Sequence, residues 1–314
     1  MPKLDELFVA TRTRNVEDAE TDDDPNLIIR AGANILFTER LSRTSSRLAR
    51  GAAGVWRFDV RDIGLDSPAF DIEIQAGGDD AWSPEHVIVW GTAGSDGTRT
   101  VIPLGAAFDL ADPLTPPEKG TWISTDTSEG EPLLVVPRVD RGGDDTRAQR
   151  VIVIVVTSPY PGMFPGTPGP GGDLGNADTT SPITLQGGGA GRLFLSYTLP
   201  STPQSDVEVG GGGFYVAHLA APFSRNDLEG GGFTLTIGSD DWWVPEYFAV
   251  FGITTFEGGR RVLIPFVASP AQELRQMSSA SEEGFHSFRL TTARVSQQFA
   301  VPVVGGMLTG ERRT

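Results

Sequence analysis

Short apolar segments alternate with clusters of glycine, proline, aspartate and serine along the whole chain. Segments rich in valine, isoleucine and aromatic residues that end at such clusters are typical of β-strands joined by tight turns. In the first half they predict strands at Phe8–Thr13, Leu27–Ala31, Val55–Val60, Ala69–Gln75, His86–Gly91, Thr98–Leu104, Leu133–Arg138 and Val151–Thr157. In the second half they predict strands at Ile183–Gln186, Leu193–Thr198, Phe214–His218, Phe233–Ile237, Tyr247–Ile253, Arg261–Phe266, Ser287–Ala293 and Phe299–Val304. The pattern favours an all-β chain of antiparallel sandwiches, with a helical turn allowed only at Leu41–Arg50.

The two halves of the chain repeat one another in sequence. Phe70–Gly91 aligns with Phe233–Gly252 when a two-residue gap is allowed, and Arg99–Leu104 aligns with Arg261–Phe266. Earlier in each half, Asp18–Leu27 matches Asn176–Leu185. The matched pairs include Asp79/Asp240, Asp80/Asp241, Trp82/Trp243, Pro84/Pro245, Glu85/Glu246, Val89/Val250 and Gly91/Gly252. Because the matches keep the same order, we infer an internal duplication.

A segment dominated by proline and glycine, Ser158–Gly175, lies between the two repeats. Such a composition sustains neither a helix nor a central strand and is typical of a semi-stiff linker. The sequence therefore predicts a first domain at residues 1–157, a linker at 158–175 and a second domain at 176–314. A length of 314 residues suits two domains of ordinary size.

Charge and composition exclude several classes of function. The formal net charge of −16 repels phosphate backbones, so we expect no nucleic-acid binding, and attraction to anionic lipid requires a bridging cation. The absence of cysteine excludes disulfides and thiolate chemistry. We expect no transmembrane segment because the longest apolar run, Val151–Val156, is too short to cross a bilayer. No signal peptide is visible at the start of the sequence.

Thr13–Ile29, Arg50–Ile74 and Asp80–Val89 in the first half resemble three segments of the PLAT (LH2) family, which includes polycystin-1, lipoxygenase and alpha-toxin domains. Thr13–Ile29, with DAETDDDPNL, is similar to that family's opening strand, acidic loop and second strand. Arg50–Ile74 is similar to its middle strands, and Asp80–Val89 resembles its second loop, with an aromatic residue and Pro-Glu before the next strand. The likeness is greatest to the C-terminal domain of alpha-toxin-type phospholipases C, and the second half keeps both landmarks more loosely.

The resemblance implies a calcium site where the two loops meet at one end of each sandwich. In the first copy the ligands would be the Asp18 and Asp80 carboxylates and the main-chain carbonyls of Glu20 and Ala81. The second copy offers Asn176, Asp178, Asp241 and Trp242 at the same places. Acidic loops with nearby carbonyls provide the hard oxygen ligands that Ca²⁺ prefers. Asn176 lacks a carboxylate, so we expect a weaker or empty second site.

The same acidic residues also have an ordinary structural interpretation as solvated turn residues and Asx-turns. The tryptophans carry a similar pair of alternatives. Trp82 and Trp243 share a repeat position and are expected to be core anchors. Trp242 replaces Ala81, so it is a candidate anchor on a membrane surface or a partner, or else it packs over a neighbouring loop or over the other domain.

The sequence contains no motif of a known catalytic site, so we expect no enzymatic activity. The first functional hypothesis is a binding module that recognises lipid headgroups or a protein partner with the help of calcium. The alternative is a structural subunit of a larger assembly, such as a phage or secretion particle, that uses its sandwiches for subunit contacts or homo-oligomers. An extracellular or particle-associated location would follow if calcium binds. A hydrolase hidden in Gly105–Arg150 or Ser269–Gly284 is the third and weakest hypothesis.

Overall fold

The computed structural model describes most of the chain in thirteen stretches. They are residues 3–42, 48–61, 70–93, 98–108, 121–157, 181–200, 212–238, 243–255, 261–269, 277–279, 286–290, 301–304 and 309–311. Nearly all of the regular structure in these stretches is β-strand, with one short 3-10 turn at Asn226–Leu228. The predicted all-β class is therefore confirmed.

The chain divides into two compact units, and each is a sandwich of two antiparallel sheets. Unit 1 comprises residues 1–96 and 100–140, and unit 2 comprises residues 97–99 and 141–314. Each unit has its own hydrophobic core, since one cluster of buried side chains runs from Leu4 to Val136 and the other from Ala148 to Leu290. Two cores of this kind are what a chain of two domains requires.

The described residues of unit 1 form eight strands in two four-stranded sheets. The strands are β1 (Glu6–Thr13), β2 (Asn26–Ala31), β3 (Asn34–Arg40), β4 (Ala53–Asp59), β5 (Asp71–Gln75), β6 (Pro84–Ala93), β7 (Thr98–Ala107) and β8 (Leu133–Val136). One sheet has the order β4-β1-β6-β7 and the other the order β3-β2-β5-β8. A two-residue strand, β9 (Asp140–Arg141), lies at the division between the units.

Unit 2 repeats this arrangement strand for strand. Its strands are β10 (Ala148–Thr157), β11 (Ile183–Gly189), β12 (Arg192–Thr198), β13 (Gly212–Phe223), β14 (Gly232–Ile237), β15 (Pro245–Thr255), β16 (Arg261–Ser269), β17 (Ser287–Leu290), β18 (Val301–Val304) and β19 (Thr309–Glu311). The order β13-β10-β15-β16 corresponds to β4-β1-β6-β7, and β12-β11-β14-β17 corresponds to β3-β2-β5-β8. Unit 2 then adds a further strand, β19, on the outer side of β17.

The strand registers support the duplication at the level of single residues. Opposite β7, strand β6 shifts register between Val89 and Trp90, so that Trp90 faces Pro103. Opposite β16, strand β15 shifts between Val250 and Phe251, and Phe251 faces Pro265. Proline cannot donate to a strand ladder and is tolerated at such bulges. The same irregularity at the same place in both units is the structural mark of a repeat.

The registers also remove the gap that the sequence alignment needed. Leu27 faces Ile74 across β2 and β5, and Leu185 faces Leu235 across β11 and β14. The spacing from Ile74 to Trp82 equals the spacing from Leu235 to the second tryptophan, Trp243. Strands β5 and β14 therefore correspond without a gap, with Ile74 at the position of Leu235. In this register Phe233 corresponds to Ile72 and not to Phe70, with which the sequence alignment matched it.

The boundary between the units differs from the predicted domain boundary at residue 157. Strand β10 pairs with β13 and β15, so it is a central strand of unit 2 and not the last strand of a first domain. Its strongly apolar sequence is explained by this position, since Val151–Thr157 are all buried. The Pro/Gly-rich segment 158–175 lies outside the described residues. Because it joins β10 to β11, it is a connection within unit 2 and not a linker between domains.

Strand β3 of the structure was not predicted from the sequence. Its only buried side chain is Phe37. A strand with almost no buried face leaves little apolar periodicity to detect. Its counterpart β12 was predicted almost in full. Residues 43–47 of the possible helical turn lie outside the described stretches, and the described residues that follow, 48–51, form a turn.

Candidate functional site

Three loops meet at one end of unit 1. Loop A (residues 14–25) joins β1 to β2, loop B (residues 76–83) joins β5 to β6, and loop C (residues 121–132) precedes β8. Asp18 and Glu20 lie on loop A, whereas Asp80 and Ala81 lie on loop B. The expectation that the acidic loops lie at the same end of the sandwich therefore agrees with the structure. Trp82 and Asp80 make hydrogen bonds that join these loops.

Trp82 anchors loop B inside the sandwich. Its side chain is 1% exposed, and its indole nitrogen donates a hydrogen bond of 2.9 Å to the hydroxyl of Thr13 at the end of β1. Its main chain exchanges hydrogen bonds with Ile123 of loop C. The amide of the next residue, Ser83, donates to the carbonyl of Ala19 in loop A. The tryptophan therefore fixes the position of all three loops, as its core role predicted.

Asp80 joins loop B to loop A through both its main chain and its carboxylate. The Thr21 hydroxyl donates to the Asp80 carbonyl at 3.0 Å, and the Asp22 amide donates to the Asp80 carboxylate. In return, the Asp80 amide donates to the carboxylate of Asp23 at 3.0 Å. Each of the two carboxylates accepts a hydrogen bond from an amide of the other loop, so the aspartates join loops A and B in both directions.

Two glycines allow the acidic loops to pack this closely. A Cβ atom added to Gly78 would collide with the carboxylate of Asp23, and one added to Gly77 would collide with the main chain of Asp24. Neither position leaves space for a side chain. The Gly-Gly pair that precedes Asp79 and Asp80 is therefore a requirement of the packing between loops A and B.

The remaining predicted ligands of the first copy lie around this junction. Asp18 and Glu20 are exposed, and Asp18 has a φ angle of 58°, a left-handed conformation that aspartate tolerates better than most residues. Ala81 is half-buried. Carboxylates and main-chain carbonyls are the donors that Ca²⁺ accepts, so the residue types fit that ion. Within the described stretches, however, no three Asp, Glu, His or Cys side chains converge closely enough to hold a metal, and calcium binding stays a prediction.

Loop C was not predicted from the sequence, although it completes this end of the unit. The Ser124 hydroxyl donates to the Asp79 carbonyl at 2.8 Å, and the Thr125 amide donates to the Gly78 carbonyl at 2.9 Å. Further along the loop, the amide and hydroxyl of Ser128 lower the pKa of Asp126. The only signal in the sequence is an S-T-D-T-S turn motif, which is too common to single out.

The equivalent end of unit 2 is described only in its framework. Trp243 is fully buried, its indole donates to the Thr157 hydroxyl at 2.9 Å, and its main chain exchanges hydrogen bonds with Met277. These contacts reproduce those of Trp82 with Thr13 and Ile123. The predicted ligands and contact residue of the second copy, Asn176, Asp178, Asp241 and Trp242, all lie outside the described residues.

Comparison with known proteins identifies no family for this chain. No protein-family model matches the sequence, and no curated protein matches it. Among solved structures, the chain is similar to "Alpha Toxin from Clostridium Absonum", with 17% identity and a TM-score of 0.32. The likeness covers 43% of this chain and 31% of the toxin chain, so it spans about a third of the toxin. At that score it carries no argument about function, and the resemblance to the PLAT family stays a prediction.

The described part of the chain contains no helix long and apolar enough to cross a membrane.

Proposed function

We propose that this protein is a non-catalytic binding module that contacts a membrane surface or a protein partner through the loop end of unit 1, with calcium at the contact. The observation that carries the proposal is the junction at Asp80, where loops A and B are joined by hydrogen bonds and present their acidic residues together. Carboxylate and main-chain carbonyl oxygens on joined loops are the type of donor that Ca²⁺ prefers.

The sign of the charge explains why a cation would be needed. A protein with a net charge of −16 repels anionic headgroups, and the aspartates of loops A and B concentrate negative charge at this end. A bound Ca²⁺ would reverse the local charge and could share its remaining coordination positions with a phosphate or carboxylate of the target. Asp18, Glu20, Asp80 and Ala81 are the proposed ligands in unit 1, and calcium at unit 2 is a separate and weaker proposal.

The competing interpretation is that the aspartates only fasten the loops. Asp80 and Asp23 already accept amide hydrogen bonds, which would satisfy them in the absence of any ion. The two interpretations differ in what they require of Asp18, since its side chain is exposed and a purely structural role gives its carboxylate nothing to do. A test must therefore separate Asp18 from Asp80.

Calorimetric titration of the full chain with Ca²⁺ provides that test. We expect saturable binding that is lost in Asp18→Asn and in Asp80→Asn. Glu20→Gln is the matched control, because the proposal uses the carbonyl of Glu20 and not its side chain, and this variant should bind as the unchanged protein does. Thermal melts of all three variants identify any loss caused by unfolding. Absence of binding to the unchanged chain, or equal binding by Asp18→Asn, would reject the calcium site.

The target is tested with the same variants. Sedimentation with vesicles that contain anionic phospholipid should pull down the protein in Ca²⁺ and release it in chelator, and Asp80→Asn should abolish the association. Trp242→Ala tests separately whether unit 2 also contacts the membrane. If calcium binds while vesicles of every composition fail to retain the protein, the membrane target is rejected and a protein partner is left.

A second candidate function, a subunit of a larger assembly, is favoured by a different surface. Leu133 and Val135, two of the four large apolar side chains that are clearly exposed in the described residues, lie together on strand β8 at one edge of the β3-β2-β5-β8 sheet of unit 1. Exposed apolar groups gathered on one sheet indicate an interaction surface more strongly than isolated ones do. Light scattering on the purified protein tests this candidate, which requires a mass above that of the 33.5 kDa chain.

A further inference from the structure

Strand β8 of unit 1 and strand β17 of unit 2 occupy the same place in the repeat but differ in what lies beside them. Leu133, Leu134 and Val135 of β8 face β5 just as Ser287, Phe288 and Arg289 of β17 face β14. In unit 2 the outer side of those three residues is paired with β19, the last of the described strands. In the described part of unit 1, β8 ends its sheet and no strand lies beyond it.

The open positions on β8 are limited at both ends. The Ala76 amide donates to the Pro132 carbonyl, so the main-chain groups of Pro132 and Leu134 point towards β5 and those of Leu133 and Val135 point outwards. Just before them, Glu131 exchanges hydrogen bonds with Trp122 and Ser124. Just after them, the carbonyl of Pro137 accepts from Ala106. The space therefore suits a strand of about three residues, the length that β19 pairs with β17.

Strand β8 also lacks the features by which proteins protect a sheet edge. Its sequence, LLVV, contains no charge, and Leu133 and Val135 are 38% and 57% exposed. The opposite edge of the same sheet, β3, ends in Glu39-Arg40 and is interrupted by a bulge opposite Ile29 and Arg30. Charges and bulges of this kind prevent pairing with other chains, and a strand without them is a template for one.

We propose that the outer edge of β8 accepts the C-terminal strand, Thr309–Glu311, of a second copy of this chain. The strand would pair with Leu133, Leu134 and Val135 as it pairs with β17 within one chain. The exchange keeps the number of main-chain hydrogen bonds and covers two exposed apolar side chains, where β17 presents Ser287 and Arg289 at the same positions. The proposal rests on the assembly function and names the surface that performs it.

A contact of this kind joins two different surfaces, the outer side of β8 in one copy (the edge) and strand β19, Thr309–Glu311, of the next copy (the tail). Such a heterologous contact produces either closed rings, of which a reciprocal exchange between two copies is the smallest, or open strings of subunits. Within a string of subunits, each inner copy binds one neighbour through its edge and another through its tail. Because the tail must leave its own β17 to reach a neighbour, assembly should depend on concentration.

Two complementary variants test the proposal. Val135→Asp removes the apolar edge but keeps the tail, and a chain that ends at Val304 removes the tail but keeps the edge. We expect each variant alone to be monomeric by light scattering, whereas their equimolar mixture should form heterodimers and nothing larger. Ile35→Asp is the matched control, since Ile35 is 52% exposed on the opposite edge of the same sheet, and this variant should assemble as the unchanged chain does.

Hydrogen exchange supplies the second measurement. Assembly should slow exchange of the Leu133 and Val135 amides by about tenfold or more in the unchanged chain but not in the chain that ends at Val304. If Val135→Asp assembles as well as the unchanged chain, β8 is not the contact surface, while the assembly function stands. If the unchanged chain is monomeric over about a hundredfold range of concentration, both are wrong. Protection of these amides in a monomer would mean that another part of unit 1 covers the edge.

Discussion

The two units share an interior and differ where their strands are joined. In each, a buried tryptophan on the loop before β6 or β15 donates to a threonine at the end of β1 or β10, at the same distance of 2.9 Å. The connection that follows the threonine, however, is residues 14–25 in unit 1 and residues 158–182 in unit 2. The comparison indicates that the tryptophan–threonine bond is the fixed element of the repeat, while the loop that starts beside it has been free to change in length and charge.

Removing the tryptophans should produce the largest effect. We expect Trp82→Ala and Trp243→Ala each to lower the free energy of unfolding of its own unit by about 3–5 kcal/mol, because a large buried side chain leaves a cavity. Urea unfolding followed by far-ultraviolet circular dichroism measures the loss. Hydrogen exchange should show that the other unit keeps its protection. Loss of protection in both units from a single change would contradict two separate cores.

Removing only the hydroxyl that accepts the indole bond should cost less. Thr13→Val and Thr157→Val keep the side-chain shape but leave a buried indole N–H without its acceptor, for which we expect a loss of about 1–3 kcal/mol in each unit. Thr38→Val, at an exposed position on β3, is the control and should change stability little. The Thr13 hydroxyl also donates to the Leu48 carbonyl at 3.3 Å, so Thr13→Val should cost at least as much as Thr157→Val. A smaller loss from Thr13→Val would show that the two indole bonds differ in energy.

The two-residue hairpins provide a smaller contrast of the same kind. The β11–β12 turn has Ala190 and Gly191 at φ angles of 50° and 76°, whereas the β2–β3 turn has Gly32 at 60° followed by Ala33, which is not left-handed. Alanine is strained at positive φ, so Ala190→Gly should stabilise unit 2 by about 0.5–1 kcal/mol. Ala33→Gly should destabilise unit 1 instead, because glycine there relieves no backbone strain and only increases the conformational entropy of the unfolded chain. A thermal melt of each variant gives the sign.

The smallest expected effect concerns a turn that is described only in unit 2. The Ser224 amide and hydroxyl donate to the Asp227 carboxylate and, together with Arg147, hold the pKa of Asp227 below its ordinary value. A depressed folded-state pKa stabilises the protein above the unfolded value, and the contribution is lost as the pH falls through the folded value. Ser224→Ala should therefore destabilise the chain slightly at pH 7 and progressively less in acid. A destabilisation that grows on acidification would contradict this assignment.

Much of the fold could be predicted from the sequence because buried strands have a clear apolar pattern. Strand β3 could not, since it buries little more than Phe37. The boundary between units was also misplaced, because a Pro/Gly-rich stretch looks the same whether it joins two domains or two strands of one domain. Strand pairing of β10 with β13 and β15 decides between these cases, and pairing is not visible in a single sequence.

The acidic loops of the candidate site were predicted from the sequence, whereas the residues that hold these loops in place were not. The repeat aligned Asp80 and Trp82 with their counterparts, but the threonine that accepts the indole bond lies on a different strand, and nothing in its neighbourhood marks it. Loop C was missed for the same reason, since its contacts with Gly78 and Asp79 arise only after folding. Residues that act through long-range main-chain contacts leave no local signature.

The central claim is that two copies of one sandwich are each held by a tryptophan–threonine bond. Exchange of the indole protons in ¹⁵N-labelled protein measures this most directly, because the chain has six tryptophans and each indole gives its own signal. We predict that the Trp82 and Trp243 indole protons both exchange slowly, and that Thr13→Val accelerates the first and Thr157→Val the second. If either indole exchanges in the unchanged protein as fast as that of half-buried Trp122, the proposed equivalence of the units is contradicted.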